Sequence, residues 1–435
     1  MLDRLFKLKE HNTDVKTEVL AGITSFIAMA YIIFVNPSIL KSANMDFNSV
    51  LMATCIGAAV GCFLTAILAN VPFCQAPGMG MNAFFAYTLC GTMGYTWQQG
   101  LTVVFLSGVI FLLITITPLR GKIIAAIPND MKNAITGGIG LFVALVGLFN
   151  AGIVHTTEAG KLTLGNIAAG APLVAVIGLL IVAVLVTRRV KGALILGILA
   201  ATAIAVPLGV ATLPETLTLS GLSMEPTFMK MSFDFSSVGI VSVVTVVATL
   251  AVYNTFDTLG TLIATATNAG LVDKDGNMPG CDRALIADAG STILAGFLGT
   301  STICTLVEST TGISEGGRTG LTAIVCGVLF LLGMLLAPLA EIIPAAATAP
   351  ALILSGTMMA GGVRNIDWKD MEIAIPCFLI LAIMPFAYSV SDGIGFGFIS
   401  YIVIKIFRGK AREVSPVLHV LGAIFVIKYL LAGIL

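Results

Sequence analysis

Charge is what this chain has least of. Only 11% of its 435 residues are Asp, Glu, Lys or Arg, where a soluble globular domain carries about 25%. The 23 basic and 23 acidic residues cancel, so no positive field exists to hold nucleic acid, and no such partner is expected. Histidine is nearly absent: His11, His155 and His419 sit near the ends of apolar runs. The eight cysteines are scattered, show no CxxC spacing, and read as small hydrophobes. No metal site and no cofactor are therefore expected. An intramembrane enzyme would need a nucleophile–base pair or a metal set, and only a two-carboxylate arrangement is available. The first residues, MLDRLFKLKEHNTDVKTE, lack the short apolar core of a signal peptide. Strand-like alternation is missing too, which argues against a barrel.

What the chain has instead is apolar length. Hydrophobic residues make up 57% of it, and the mean hydropathy is +1.02. Runs of about twenty apolar residues identify an all-α polytopic membrane protein. They fall near 17–37, 49–70, 74–92, 101–118, 134–150, 171–188 and 193–211, then 238–262, 284–299, 303–316, 319–338, 345–362, 371–389 and 391–407. That makes fourteen spans; a further run at 415–434 carries Lys428 and reads either as a fifteenth or as an interfacial helix.

Basic residues test the count. Cytoplasmic loops collect Lys and Arg, and here they gather after even-numbered spans: Arg120, Lys122 and Lys132, then Arg188, Arg189 and Lys191, then Lys274 and Arg283, then Arg318, Arg364 and Lys369, and Lys405 to Arg412. The opposite loops hold only Lys41, Lys161 and Lys230. A cytoplasmic N-terminus in the cell membrane follows. The loop 212–235 then faces outward. The inward connector 270–283 contains DKDG, but the full spacing of a calcium loop is missing.

The halves resemble each other. GLTVVFLSGVIFLL at 100–113 returns as GLTAIVCGVLFLL at 320–332, and Ile127-Pro128 returns as Ile343-Pro344. Seven spans per half is an odd number, so the second copy is inserted upside down. Inverted repeats with helices broken at equivalent places mark secondary transporters, whose site lies near the midplane.

In each half a short, broken segment precedes the repeated GLT. In the first, FCQAPGMGMNAFFAYTLCG, Pro77, Gly78 and Gly80 interrupt the helix. Asn82 offers a donor and an acceptor, and Phe84, Phe85 and Tyr87 offer planar faces, a combination suited to a flat polar ring. In the second, GTSTICTLVESTTGISEGGRTGLT, Glu308 takes the comparable place. An ionisable residue at that depth is a functional candidate. Asp257, between Phe256 and Thr258 in the eighth span, can carry a proton across or accept a ligand N–H. Asp288 could line a proton route or sit at the interface. Glu315 and Arg318 read as a surface pair, Asp392 as the cap of the fourteenth span, and Thr24, Met29, Tyr31 and Asn36 as residues that could border the cavity. A carrier of the same fold for an anion stays open, although two acids and no base oppose it.

At PGMGMNAFFAY, FDTLGT and ESTTGISEGGRTGLTA the chain resembles the AzgA-like purine permeases of the nucleobase–cation symporter group, which also contains uracil and xanthine carriers. The likeness runs from LAGITSFIAMAYIIFVNP (20–37) to the last spans. It implies a core of spans 1–4 and 8–11 (1–118 and 236–338) moving against a gate of spans 5–7 and 12–14 (119–235 and 339–435). It further implies proton symport of a purine, often by homodimers among membrane lipids, with guanine or hypoxanthine favoured over adenine. Asp257 precedes Gly260 by three positions, as the base-binding acid does in relatives, although uracil carriers have Glu there. The matched substrate residues are Asn82, Ala83, Phe84, Phe256, Asp257, Glu308 and Ser309. The matched proton-coupling residues are Asp257, Glu308 and Asp288.

Overall fold

The computed structural model describes residues 5–117, 126–157, 161–168, 170–211, 223–268, 278, 280–337 and 342–432. Arg120, Lys122, Lys274, the Lys428 side chain, residues 212–222 of the loop 212–235 and most of the loop 270–283 lie outside the described residues.

The fourteen expected segments appear in order. Among the described residues, eight helices are long and apolar enough to cross a membrane: Val15–Lys41 (span 1, interrupted at Ala30 and Tyr31), Phe47–Ala69 (span 2), Trp97–Ile116 (span 4), Asn129–Asn150 (span 5), Gly170–Thr187 (span 6), Ile240–Leu259 (span 8), Ala345–Asn365 (span 12) and Val390–Phe407 (span 14). Shorter apolar helices supply spans 7 (Ala193–Ala205), 11 (Gly320–Leu336) and 13 (Met371–Phe386). Span 9, Cys281–Leu298, is less apolar because Asp282, Arg283 and Asp288 interrupt it. The helix of span 8 runs on to Asn268, and the C-terminal run is a helix, Pro416–Ala432. Ser389 caps span 14, its Oγ accepting from the Asp392 N–H at 3.2 Å. Asp392 is therefore not the cap; its carboxylate accepts from the Tyr429 hydroxyl at 3.1 Å.

Spans 3 and 10 are broken. Span 3 is a strand, β1 (Gln75–Pro77), then a helical turn, Met79–Ala83, then a wider π-helical stretch, Phe84–Thr92. Two short strands after span 5, β2 (Val154–Thr156) and β3 (Leu162–Leu164), form a hairpin. Span 10 is a strand, β4 (Ile303–Thr305), then the short helix Ser309–Ser314. Three-residue strands carry no periodicity to read, and none of the four was expected.

β1 and β4 pair antiparallel, with Ala76 opposite Cys304 at the centre. Two copies of one segment can pair so only about a two-fold axis between them. The rest of the packing obeys that axis. Span 2 packs on span 11 as span 9 packs on span 4, and span 5 packs on span 13 as span 12 packs on span 6. Spans 5 and 12 cross on the axis itself at Gly140 and Gly356, where a Cβ on either would come within 2.6 Å of the other's carbonyl oxygen. Two groups of spans result, 1–4 with 8–11 and 5–7 with 12–14, each packed chiefly within itself.

Buried polar groups tie the first group. Glu18 of span 1 accepts from the Arg318 and Thr322 N–H groups (2.8 and 3.2 Å) and from the Thr322 hydroxyl (2.6 Å). It thereby caps the start of span 11 from another helix, satisfying donors that a helix N-terminus leaves open. Glu18→Ala should strand those donors at a cost of about 2–4 kcal/mol. A thermal melt of the detergent-solubilised protein should drop by several degrees, while exposed Glu10→Ala leaves it unchanged.

Candidate functional site

Broken backbone at mid-bilayer needs partners, since lipid offers none. Here the two broken spans supply each other. Gly78 N–H donates to the Thr302 carbonyl and Leu306 N–H to the Cys74 carbonyl, both at 3.2 Å. Ser309 Oγ clasps the main chain of Cys74, accepting from its N–H at 3.0 Å and donating to its carbonyl at 3.3 Å.

A cavity of about 450 Å³ opens where these segments meet. Gly78, Met79 and Gly80 of span 3 and Thr305 to Glu308 of span 10 form its floor. Tyr253, Asp257 and Thr261 of span 8 and Tyr31 of span 1 stand beside them. Asn133 and Thr136 of span 5 and Ser355, Met358, Met359 and Gly362 of span 12 face them from the other group. Gly80 has to be glycine, since a Cβ there would lie 2.6 Å from the Tyr253 hydroxyl. Among the described lining residues there are two carboxylic acids and no Lys, Arg or His. The volume falls within the range of small-molecule sites, roughly 300–1,000 Å³.

Glu308 Oε1 accepts from the Tyr31 hydroxyl at 2.9 Å, and the same hydroxyl lies 3.5 Å from Ser355 Oγ of span 12. One phenol therefore joins a site acid to the opposite wall. Asp257 lines the cavity without a protein hydrogen bond among those described.

Not every residue named from the sequence reaches this space. Asn82 is fully buried behind it, and its Oδ1 accepts from the Ser301 hydroxyl of the opposite broken segment. The structure thus shows it as a brace between the repeats and not as a lining group. Ala83 and Phe84 are buried on the same side, and Ser309 is engaged by Cys74. The Phe256 side chain lies outside the described residues. Asp288, also fully buried, accepts from the Thr258 hydroxyl, from Thr305 N–H at 2.7 Å and from Thr305 Oγ1 at 3.0 Å. It braces spans 8, 9 and 10 one layer behind the cavity. Glu315 does not pair with Arg318; it pairs with Lys191 of the loop between spans 6 and 7. The Arg318 guanidinium donates to the carbonyls of Ile313 and Gly317 at 2.8 and 2.7 Å.

Several lining residues escaped the sequence reading. Tyr253 and Thr261 flank Asp257 at four-residue spacing, on the same helix face, so the signal was present. Ser355, Met358 and Met359 lie in an apolar helix that gives no such hint.

Inverted seven-span repeats, broken at equivalent spans around a shared cavity, define a helical membrane transporter. Its fold is shared with the transmembrane domain of the cyanobacterial bicarbonate transporter BicA (TM-score 0.63, 16% identity, 89% of this chain and 97% of that one). The Permease family matches residues 16–396, and the chain belongs to that family. Relatives include a permease of Methanocaldococcus jannaschii, 42% identical over 98% of both chains. They also include the adenine permease AdeP of Escherichia coli, 39% identical over 98% of this chain and 96% of its own. The guanine/hypoxanthine permease PbuO of Bacillus subtilis is 40% identical, over 98% and 99%.

Tyr31→Phe removes a hydrogen bond to a carboxyl group and a link between the walls. Bonds of that kind are worth about 1.5–3 kcal/mol, so transport kcat/KM should fall roughly ten- to a hundredfold. Uptake kinetics of the purified, reconstituted variant, with an unchanged melting midpoint, check it.

Proposed function

We propose that this chain is a secondary active transporter that imports a purine nucleobase together with protons across the cell membrane. The observation that carries the proposal is the lining itself. Asp257 and Glu308 share a cavity with Tyr31 and Tyr253 and with no basic side chain among the described residues. A neutral purine suits that chemistry: aromatic faces take the ring, and carboxylates accept from ring and exocyclic N–H groups. An anion would meet two acids and nothing to offset its charge, so the fold shared with a bicarbonate transporter does not extend to its cargo. Relatives named for adenine and for guanine/hypoxanthine support the purine class at nearly the same identity, 39% and 40%. The preference for guanine or hypoxanthine therefore rests on the motifs alone.

In this reading spans 1–4 and 8–11 are the core that carries Asp257 and Glu308, and spans 5–7 and 12–14 are the gate. The cavity lies toward Asn133, Thr261 and Gly362, at the ends of spans 5, 8 and 12 where basic loops gather. The opposite end is closed by Tyr388 of the loop after span 13. Its ring meets Tyr87, Phe142 and Phe149 edge-on at 5.2–6.1 Å, and Thr88 Oγ1 donates to its carbonyl at 3.1 Å. With a cytoplasmic N-terminus, this is an inward-facing state. Asp257 and Glu308 take up the coupled proton and the base. Tyr31, touching both Glu308 and Ser355, reports their state to the gate. Asp288 is a positioning residue that holds Thr258 and Thr305 behind them. The gate then moves against the core, by rocking or as an elevator, to alternate access.

Cells lacking their own purine carriers should take up labelled adenine, guanine or hypoxanthine when they express this chain, and a protonophore should abolish the uptake. Asp257→Ala should abolish it while the protein stays in the membrane. Wild-type uptake by that variant, or uptake of sulfate in place of purines, would refute the assignment.

A further inference from the structure

Three cysteines meet among spans 2, 3 and 11, and none of them lines the cavity. Cys62 of span 2, Cys74 at the entrance to β1 and Cys326 of span 11 are buried, and their sulfur atoms all lie within 4.8 Å of one another. They come from three separate elements, which is why their sequence spacing showed nothing. All three are free thiols.

We propose that Cys62, Cys74 and Cys326 form a binding site for a soft monovalent metal ion of the Cu(I) type. Thiolate sulfur selects such ions over harder ones. With metal–sulfur bonds of about 2.3 Å, a trigonal set needs sulfurs about 4.0 Å apart, so the cluster has to contract by less than an ångström. Cys62 is already engaged by Gln75, its thiol donating to the Gln75 carbonyl at 3.4 Å, a proton that metal binding removes. Gln75 N–H already points at Cys62 Sγ, 3.3 Å away. The Gln75 side chain is fully buried, lies against Gly61 beside Cys62, and has neither amide atom partnered. It is a spare donor next to a site that needs one when each bound sulfur gives up its proton. No change of oxidation state is involved: three thiol protons leave to solvent and one Cu(I) ion enters, so the bound site carries two negative charges, facing the Gln75 N–H. Because Ser309 of span 10 clasps Cys74, an ion here would pin the root of β1 to spans 2 and 11 and stiffen the frame beneath the cavity.

The test uses the purified full-length protein under anaerobic, reducing conditions, titrated with Cu(I) against bathocuproine disulfonate. The wild type is expected to hold one copper per chain, with X-ray absorption giving three sulfurs at about 2.3 Å. Cys326→Ser should lose at least tenfold in affinity, and Cys377→Ser, which removes a buried cysteine elsewhere, should not. The sulfur count on the wild type needs no variant, so a misfolded Cys326→Ser leaves the question decided. Failure of the wild type to retain copper, fewer than three sulfurs, or unchanged retention by a folded Cys326→Ser would each overturn the site. None of these results bears on whether purines are transported.

Discussion

Everything in this molecule is arranged about the antiparallel pairing of two strands of three residues each, β1 and β4. A lipid-filled interior offers no hydrogen bonds, so a chain that unwinds there must find its partners in protein. Each broken span finds them in its inverted counterpart, through the ladder at Ala76 and Cys304 and the flanking bonds at Gly78 and Leu306. The pairing does two things at once. It satisfies the backbone, and it ends two helices at one depth, leaving the space that Asp257 and Glu308 share. Other interactions reinforce it: Asn82 with Ser301, Asp288 with Thr305, Ser309 with Cys74.

The architecture was legible because its causes are compositional and periodic. Apolar length set the spans, the alternation of basic loops fixed their number, and the returning GLT motif revealed the repeat. The two acids could be named because charge at that depth needs a reason. What could not be read depends on which residues meet across the fold. Asn82 looked like a ligand-binding amide, and only the position of Ser301, more than two hundred residues away, shows it as a brace. Glu315 had Arg318 as a near neighbour in sequence, yet Lys191 is the charge beside it in space. The cysteine cluster is the same lesson in another element: three positions with no pattern between them converge on one point.

Among the described residues, polar contacts join the two groups at several levels. Near the closed end Tyr87 accepts from Asn150 at 2.8 Å and the Tyr388 carbonyl from Thr88 at 3.1 Å; Thr249 of span 8 lies 3.5 Å from Ser391 of span 14; Tyr31 lies by Ser355 at the cavity, and Lys191 meets Glu315 at the other end. Within each group, helices interlock through glycine and alanine at close range. Under the proposed mechanism this boundary is where core and gate move against each other, and the cavity lies on it.

The central claim is that a purine binds between the broken spans, against Asp257 and Glu308. Photolabelling with an azido-purine, followed by mass spectrometry of the digested protein, addresses it directly. The account predicts adducts within 253–261 and 305–308, suppressed by excess unlabelled hypoxanthine or adenine. Adducts confined to surface loops, or undiminished by competing purine, would contradict it.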